Sequence, residues 1–144
     1  MRTVREIFDE AIRLMDAQNE STGSTETSDT KEYALRTPDC LNRYINLVYP
    51  YSDTYVARGD GKRTVHPKLT SLDDEVDMDD LICLSVLPPA LVYELLLEEN
   101  SAVASARYKD YEMALHMAMS QSMSSIGDIE DVYGGIEHGQ YSRW

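Results

Sequence analysis

Basic residues are scarce in this chain. Thirteen Lys and Arg stand against twenty-six Asp and Glu, a formal net charge of -13. So acidic a body repels nucleic-acid phosphates and anionic lipid head groups at long range, which argues against sequence-specific nucleic-acid binding. Long apolar runs are missing as well. Hydrophobic residues make up 42% of the 144, but they fall in short periodic groups, and none approaches the roughly 18 consecutive apolar residues that a membrane span needs. Met1 to Glu6 lack the apolar region of a secretory signal, so the expectation is a protein made and used in a cytosol.

Cysteine and histidine are too few to build chemistry locally. Cys40 and Cys83, the only two cysteines, sit amid apolar helical sequence and read as small buried hydrophobes; two do not make a disulfide framework. Neither has a Cys or His neighbour at zinc-ligand spacing, and His66, His116 and His138 lie far apart. Sequence separation alone leaves a Cys–His pair open, though nothing local points to one. Phosphate-binding glycine loops and a nucleophile elbow are absent, and "GDGK" lacks P-loop spacing. The expectation is a non-enzyme with no catalytic residue, no cofactor and no metal.

What is present is helical periodicity. Thr3 and Glu6 form a capping box, and Val4, Ile7, Phe8, Ala11, Ile12 and Met15 follow on one stripe, which predicts a helix over about residues 3 to 18. The polar stretch "NESTGSTETSDT" reads as a loop, and its Asn19-Glu20-Ser21 sequon as chance. A second helix is expected from Asp29, capped with Glu32 and running to Val48; Pro38 either kinks it or starts it, and a kinked single helix is the preferred reading.

"TYVARGDGKRTVH" places β-branched residues around Gly59-Asp60-Gly61 and predicts a small hairpin, with Arg58-Gly59-Asp60 read as a turn and not as an adhesion motif. The run "DDEVDMDD" reads first as a solvated loop leading into an acid-rich helix start. Without a turn glycine it makes a poor calcium loop, and docking of a basic partner is a third reading. Leu81 to Leu96 is apolar on nearly every side and therefore central, with Pro88-Pro89 expected to break or strongly kink it. Asn100 is expected in the left-handed region, and Ser101 as the cap of a last helix carrying Ala104, Tyr108, Tyr111, Leu115 and Ala118. Met113, Met117, Met119 and Met123 read as core fillers, with a repacking interface as the alternative.

The expected fold is mainly α. A four-helix bundle-like domain spans residues 1–123, with a β-hairpin insertion at about 54–66 and an acidic loop at about 70–80. An extended C-terminal docking arm over residues 124–144 follows. That arm ends "YGGIEHGQYSRW", with the only tryptophan last. Chain ends are ordinarily polar and frayed, so an aromatic one predicts a seat elsewhere, on another polypeptide or on the chain's own helices.

"LLLEEN" leading into a helix with "RYKDYE", and the close "EDVYGGIEHGQYSRW", resemble small proteins of bacteriophage and prophage head-morphogenesis modules, the head-to-tail connector or adaptor proteins. The likeness in pattern covers nearly the whole chain, and these patches are its specific part. It implies a structural virion protein of largely α-helical subunits, a homo-oligomeric and commonly dodecameric ring between the portal protein and other neck and tail proteins. The ring is assembled in the host bacterial cytoplasm, without a membrane, and DNA passes through it. The resemblance also implies Tyr133, Ile136, Tyr141 and Trp144 as partner-docking residues. Asp73, Asp74, Glu75, Asp77, Asp79 and Asp80 become a candidate channel-facing acidic patch. Pro38 and Pro88-Pro89 depart from the smooth helices expected of relatives. Two other readings stay open: an acidic DNA-mimic inhibitor, which should spread its carboxylates in duplex-like rows, and a tail-side completion protein.

Overall fold

Two residues set the start of the first helix. In the computed structural model, which describes residues 1–124, the Glu6 N–H donates to the Thr3 hydroxyl at 3.3 Å and the Thr3 N–H donates to the Glu6 carboxylate at 3.1 Å. This is the reciprocal cap that their spacing predicts. Helix α1, Val4–Leu14, buries Val4, Ile7, Phe8, Ala11 and Ile12 on one face. It stops before the expected residue 18 because Asp16 adopts a φ of 53°. The N–H groups of Asp16 and Ala17 then turn back to the carbonyls of Arg13 and Ile12, a Schellman-type stop built on aspartate instead of glycine.

Among the described residues the protein is mainly helical with one small antiparallel sheet, and that sheet is not where the sequence puts it. Strand β1, Arg2–Thr3, pairs with β2, Glu75–Val76, in the register Arg2 to Val76 and Thr3 to Glu75. Within 54–66 the chain turns at Asp60–Gly61, where Gly61 has a φ of 77°. Its two arms meet through the Thr64 hydroxyl, which donates to the Val56 carbonyl at 2.6 Å, and not through a backbone ladder. A two-stranded ribbon on its own is marginal in water. The pair that forms instead abuts α1, whose Val4 and Arg5 N–H groups donate to the carbonyls of Asp74 and Leu72.

Helix α2, Lys31–Asn42, runs through Pro38 as one helix. Thr30, not Asp29, stands at its N-cap position, and the Thr30 hydroxyl donates to the Thr25 carbonyl at 2.6 Å in place of capping the helix. That bond helps knit the polar connection, in which Thr25 and Thr30 are buried. Pro38 has no N–H, so the Ala34 carbonyl loses its usual partner. The expected single helix to Val48 is not formed: α2 stops at Asn42, and after a turn at Arg43 and Tyr44 come helix α3, Ile45–Val48, and a 3₁₀ turn, Tyr49–Tyr51.

The double proline does not end the third helical region. Asp79 caps its start, accepting from the Ile82 N–H at 3.0 Å. Ile82–Val86 then wind with π geometry before α4, Leu87–Leu96, continues as α-helix. In the wider turn the Leu87 N–H reaches back to the Ile82 carbonyl, which sets the prolines in the first turn of α4, where absent donors are tolerated. Helix α4 buries Leu87 to Val92 and Leu95, and α1, α2 and α5 pack against it. Fully burying each such large aliphatic side chain stabilises the fold by about 1.5–3 kcal/mol.

Helix α5, Ser101–Ser124, is capped by Asn100, whose Oδ1 accepts from the Val103 N–H at 3.3 Å. Asn100 is therefore not the left-handed residue expected of it: among the described non-glycine residues Asp16 is the one with positive φ. Along α5 the buried residues Ala104, Tyr111 and Ala118 recur at seven-residue intervals. Cys40 and Cys83 are buried and free. Burial pushes both thiols up, Cys83 to about 12, so neither is a ready thiolate. No helix among the described residues is long and apolar enough to cross a membrane.

Candidate docking surface

The acid run is largely consumed by the fold. Asp80 faces Arg2, whose Nε and Nη2 donate to the two carboxylate oxygens at 2.9 and 3.2 Å. Hydrogen bonding to Arg2 holds the Asp80 carboxyl below the usual aspartate range. Asp74 accepts from the backbone N–H groups of Thr70 and Ser71 at 2.7 and 2.9 Å, and these lower its pKa in the same sense. Asp79 caps the π turn and accepts the Asp53 N–H at 2.8 Å. Asp73 pairs with Arg5 at 3.3 Å. Glu75 and Asp77 are exposed, and no hydrogen bond or ion pair engages either carboxylate among the described residues. The six residues thus share a neighbourhood but do not form a free acidic face.

The preceding segment has the opposite character. Residues 54–69 hold Arg58, Lys62, Arg63 and Lys68 against Asp60 alone, whereas residues 70–100 contain no Lys or Arg. Arg58 pairs with Asp60 at 2.6 Å; Lys62, Arg63 and Lys68 have no ion pair among the described residues. Val56 and Val65 beside them are 73% and 65% exposed. Both feet of this loop are fixed. At one, the Thr54 hydroxyl donates to the Asp77 carbonyl at 2.6 Å. At the other lies buried His66. Its N–H donates to Asn46 Oδ1, its Nε2 accepts the Asp77 N–H at 2.9 Å, and its Nδ1 lies 2.8 Å from the Pro67 carbonyl. With Nε2 accepting, Nδ1 is the protonated nitrogen and donates to Pro67.

A groove of about 650 Å³ opens between α1, α2 and the loops at 26–28 and 70–73. Ala34, Pro38 and Leu72 supply apolar lining, and Leu35 at its edge is 74% exposed. Arg5 spans the rim, bonded to Glu26 at 2.9 Å and to Asp73 at 3.3 Å. On the far side of α2, Glu94 gathers the Arg43 guanidinium at 2.6 Å and the Tyr44 hydroxyl at 2.8 Å. Burial, and then the bond to Glu94, push the Tyr44 phenol up. Tyr33 donates to Glu99, and that bond chiefly raises its pKa to about 12. Tyr44, Tyr111, Tyr108 and Tyr93 stack in sequence at centroid distances of 5.3, 5.6 and 4.8 Å. These aromatics rigidify the α2–α4–α5 side. No three His, Cys, Asp or Glu side chains among the described residues converge as metal ligands would.

Met113 and Met117 correct the core-filler expectation, being 67% and 60% exposed on the outer face of α5. The buried stripe is already filled by Ala104, Tyr111 and Ala118, so Met113, two positions after Tyr111, and Met117, one before Ala118, turn outward. Sequence periodicity missed them because α5 carries apolar residues on both faces. It also passed over the charge contrast at residue 70, which is readable by counting. The docking residues Tyr133, Ile136, Tyr141 and Trp144, and the arm that carries them, lie outside the described residues. Compared with family models, curated proteins and solved structures, the chain matches none.

Proposed function

We propose that the chain is a structural assembly subunit of the phage head-to-tail connector type: a four-helix bundle-like body that joins a homo-oligomeric ring and docks on the portal and other neck proteins through its C-terminal arm. The observation that carries this reading is the outward methionine face of α5, Met113 and Met117, on the helix that leads into the residues bearing Tyr133, Ile136, Tyr141 and Trp144. Flexible, polarisable methionines suit surfaces that repack against a partner, and aromatic anchors are common interface hot spots. The likeness of "RYKDYE" and "EDVYGGIEHGQYSRW" to connector proteins supplies the class of partner. The DNA-mimic alternative needs rows of free carboxylates, and Asp73, Asp74, Asp79 and Asp80 are engaged within the chain.

Mass in solution tests the reading, with the protein alone and with portal protein. Ring-sized particles, or ring formation on adding portal, are the expected result. A stable monomer that ignores portal and blocks a DNA-binding enzyme would move the assignment to a mimic. Removing residues 133–144 is expected to leave helical circular dichroism near normal and abolish portal docking. Loss of the helical signal would instead place the arm on the chain's own core.

A further inference from the structure

We propose that the α1–α2 groove is the seat of the chain's own C-terminal segment, residues 136–144, with Tyr141 and Trp144 laid against its apolar wall. This goes beyond the assembly reading and stands without it, because the contact belongs to a single chain. The groove, about 650 Å³, falls in the range of clefts that enclose a ligand. Ala34, Leu35, Pro38 and Leu72 supply its wall, and Leu35 is still 74% exposed, so apolar surface is left for a further segment to cover. Ser28 and Ser71 stand on its rim, where hydroxyls suit the polar tips of Tyr and Trp side chains.

The groove is neutral, and that narrows the choice of occupant. Among its lining residues Arg5 and Lys31 balance Glu26 and Asp73, and both carboxylates are already bonded to Arg5, so a strongly charged partner gains little there. Residues 136–144 match this character. Glu137 and Arg143 cancel within a chain of net charge -13, and Ile136, Tyr141 and Trp144 are apolar or aromatic. Exposed ion pairs add little, so the aromatics supply the affinity, as they do at interface hot spots. Covalent connection then selects this segment over a free partner. Residues 125–144, twenty in all, span up to about 66 Å when extended. That exceeds the width of the 124-residue body that precedes them, whose radius of gyration is about 14 Å. A tether long enough to reach its site holds its end at an effective concentration of about mM, whereas the same aromatics on a second copy start from the bulk concentration. Any external seat for the arm competes with this one, and binds only the fraction of chains that has let go.

Trp144 is the only tryptophan, so the fluorescence of the full chain reports this contact directly. In the wild type its emission should be blue-shifted and shielded from acrylamide, and dilution should change neither. Leu35→Asp sets a charge against the wall and should raise the quenching constant about threefold, toward that of an exposed indole. Leu47→Asp, on α3 and outside the groove lining, is the control and should leave it unchanged. Leu35 and Leu47 are both exposed, so the folds should survive, and circular dichroism checks that they do. As a second measurement, Leu35→Cys/Ser142→Cys in one chain should oxidise to a disulfide that runs as a monomer, with Cys40 and Cys83 buried away from it. A wild-type Trp144 quenched as readily as free indole overturns the proposal. So does a shielded Trp144 that ignores Leu35→Asp and gives no cross-link, which places the seat elsewhere. Shielding lost on dilution, or a cross-link that runs as a dimer, overturns the single-chain contact in favour of a neighbouring copy. The connector reading is judged separately, by binding to portal protein.

Discussion

Residues 54–69 and residues 70–80 adjoin in sequence and carry opposite charge, yet the fold treats them differently. The acidic stretch is tied down almost residue by residue: Asp74 closes a turn, Asp79 caps a helix, Asp80 grips Arg2, and Glu75 and Val76 pair with the strand ahead of α1. The basic stretch is fixed only at its feet, and between them Lys62, Arg63, Val56 and Val65 face solvent. A dense cluster of like charge therefore does not by itself mark a binding face. What matters is whether the fold has already partnered the charges.

Substitutions at the joint between the two stretches should have the largest effect. His66→Phe keeps the ring but leaves the Asp77 N–H without its acceptor, and should destabilise by about 1–3 kcal/mol in urea unfolding; an unchanged midpoint would mean the clamp is unimportant. Asp79→Ala removes the cap on the π turn and the acceptor of the Asp53 N–H, with an expected loss of about 1–2 kcal/mol in the same assay.

The acid limb of stability should be smaller. Folding lowers the carboxyls of Asp74 and Asp80, so their contribution is complete above the ordinary aspartate range, near pH ~4, and fades as pH falls through the depressed folded values. Asp80→Asn should flatten the decline of the urea midpoint below pH ~4, and an unaltered slope would remove Asp80 from that account. Smallest of all, Lys62→Ala/Arg63→Ala should shift stability by less than about 0.5 kcal/mol, since neither side chain is engaged in the monomer. A larger loss would show the loop to be as integrated as its acidic neighbour.

Much of the helical fold was legible. The spacing of Thr3 and Glu6 and the stripe from Val4 to Ile12 follow from local geometry alone, and α1 obeys both. The apolar density from Leu81 to Leu96 marked the central helix for the same reason. The double proline was misjudged because a π turn, which lets Leu87 bond five residues back, is a solution that periodicity does not display. Residues 54–66 were misjudged because β-branched residues around a glycine turn report strand propensity, and a strand also needs a partner. Thr3 and Glu75 found each other across the chain, and the two arms of the loop did not. The groove at Arg5, Leu35 and Leu72 left no trace in the sequence, since its walls come from segments far apart.

By itself, then, the sequence determined the helices, their capping at α1, the buried character of α4 and the strong negative charge, because each depends on neighbours within a few turns or on composition. Only the tertiary structure decided which acids are occupied, which strand pairs with which, and that Met113, Met117 and the basic loop stay in solvent. Those outcomes depend on what packs opposite each residue, and that is a property of the assembled core.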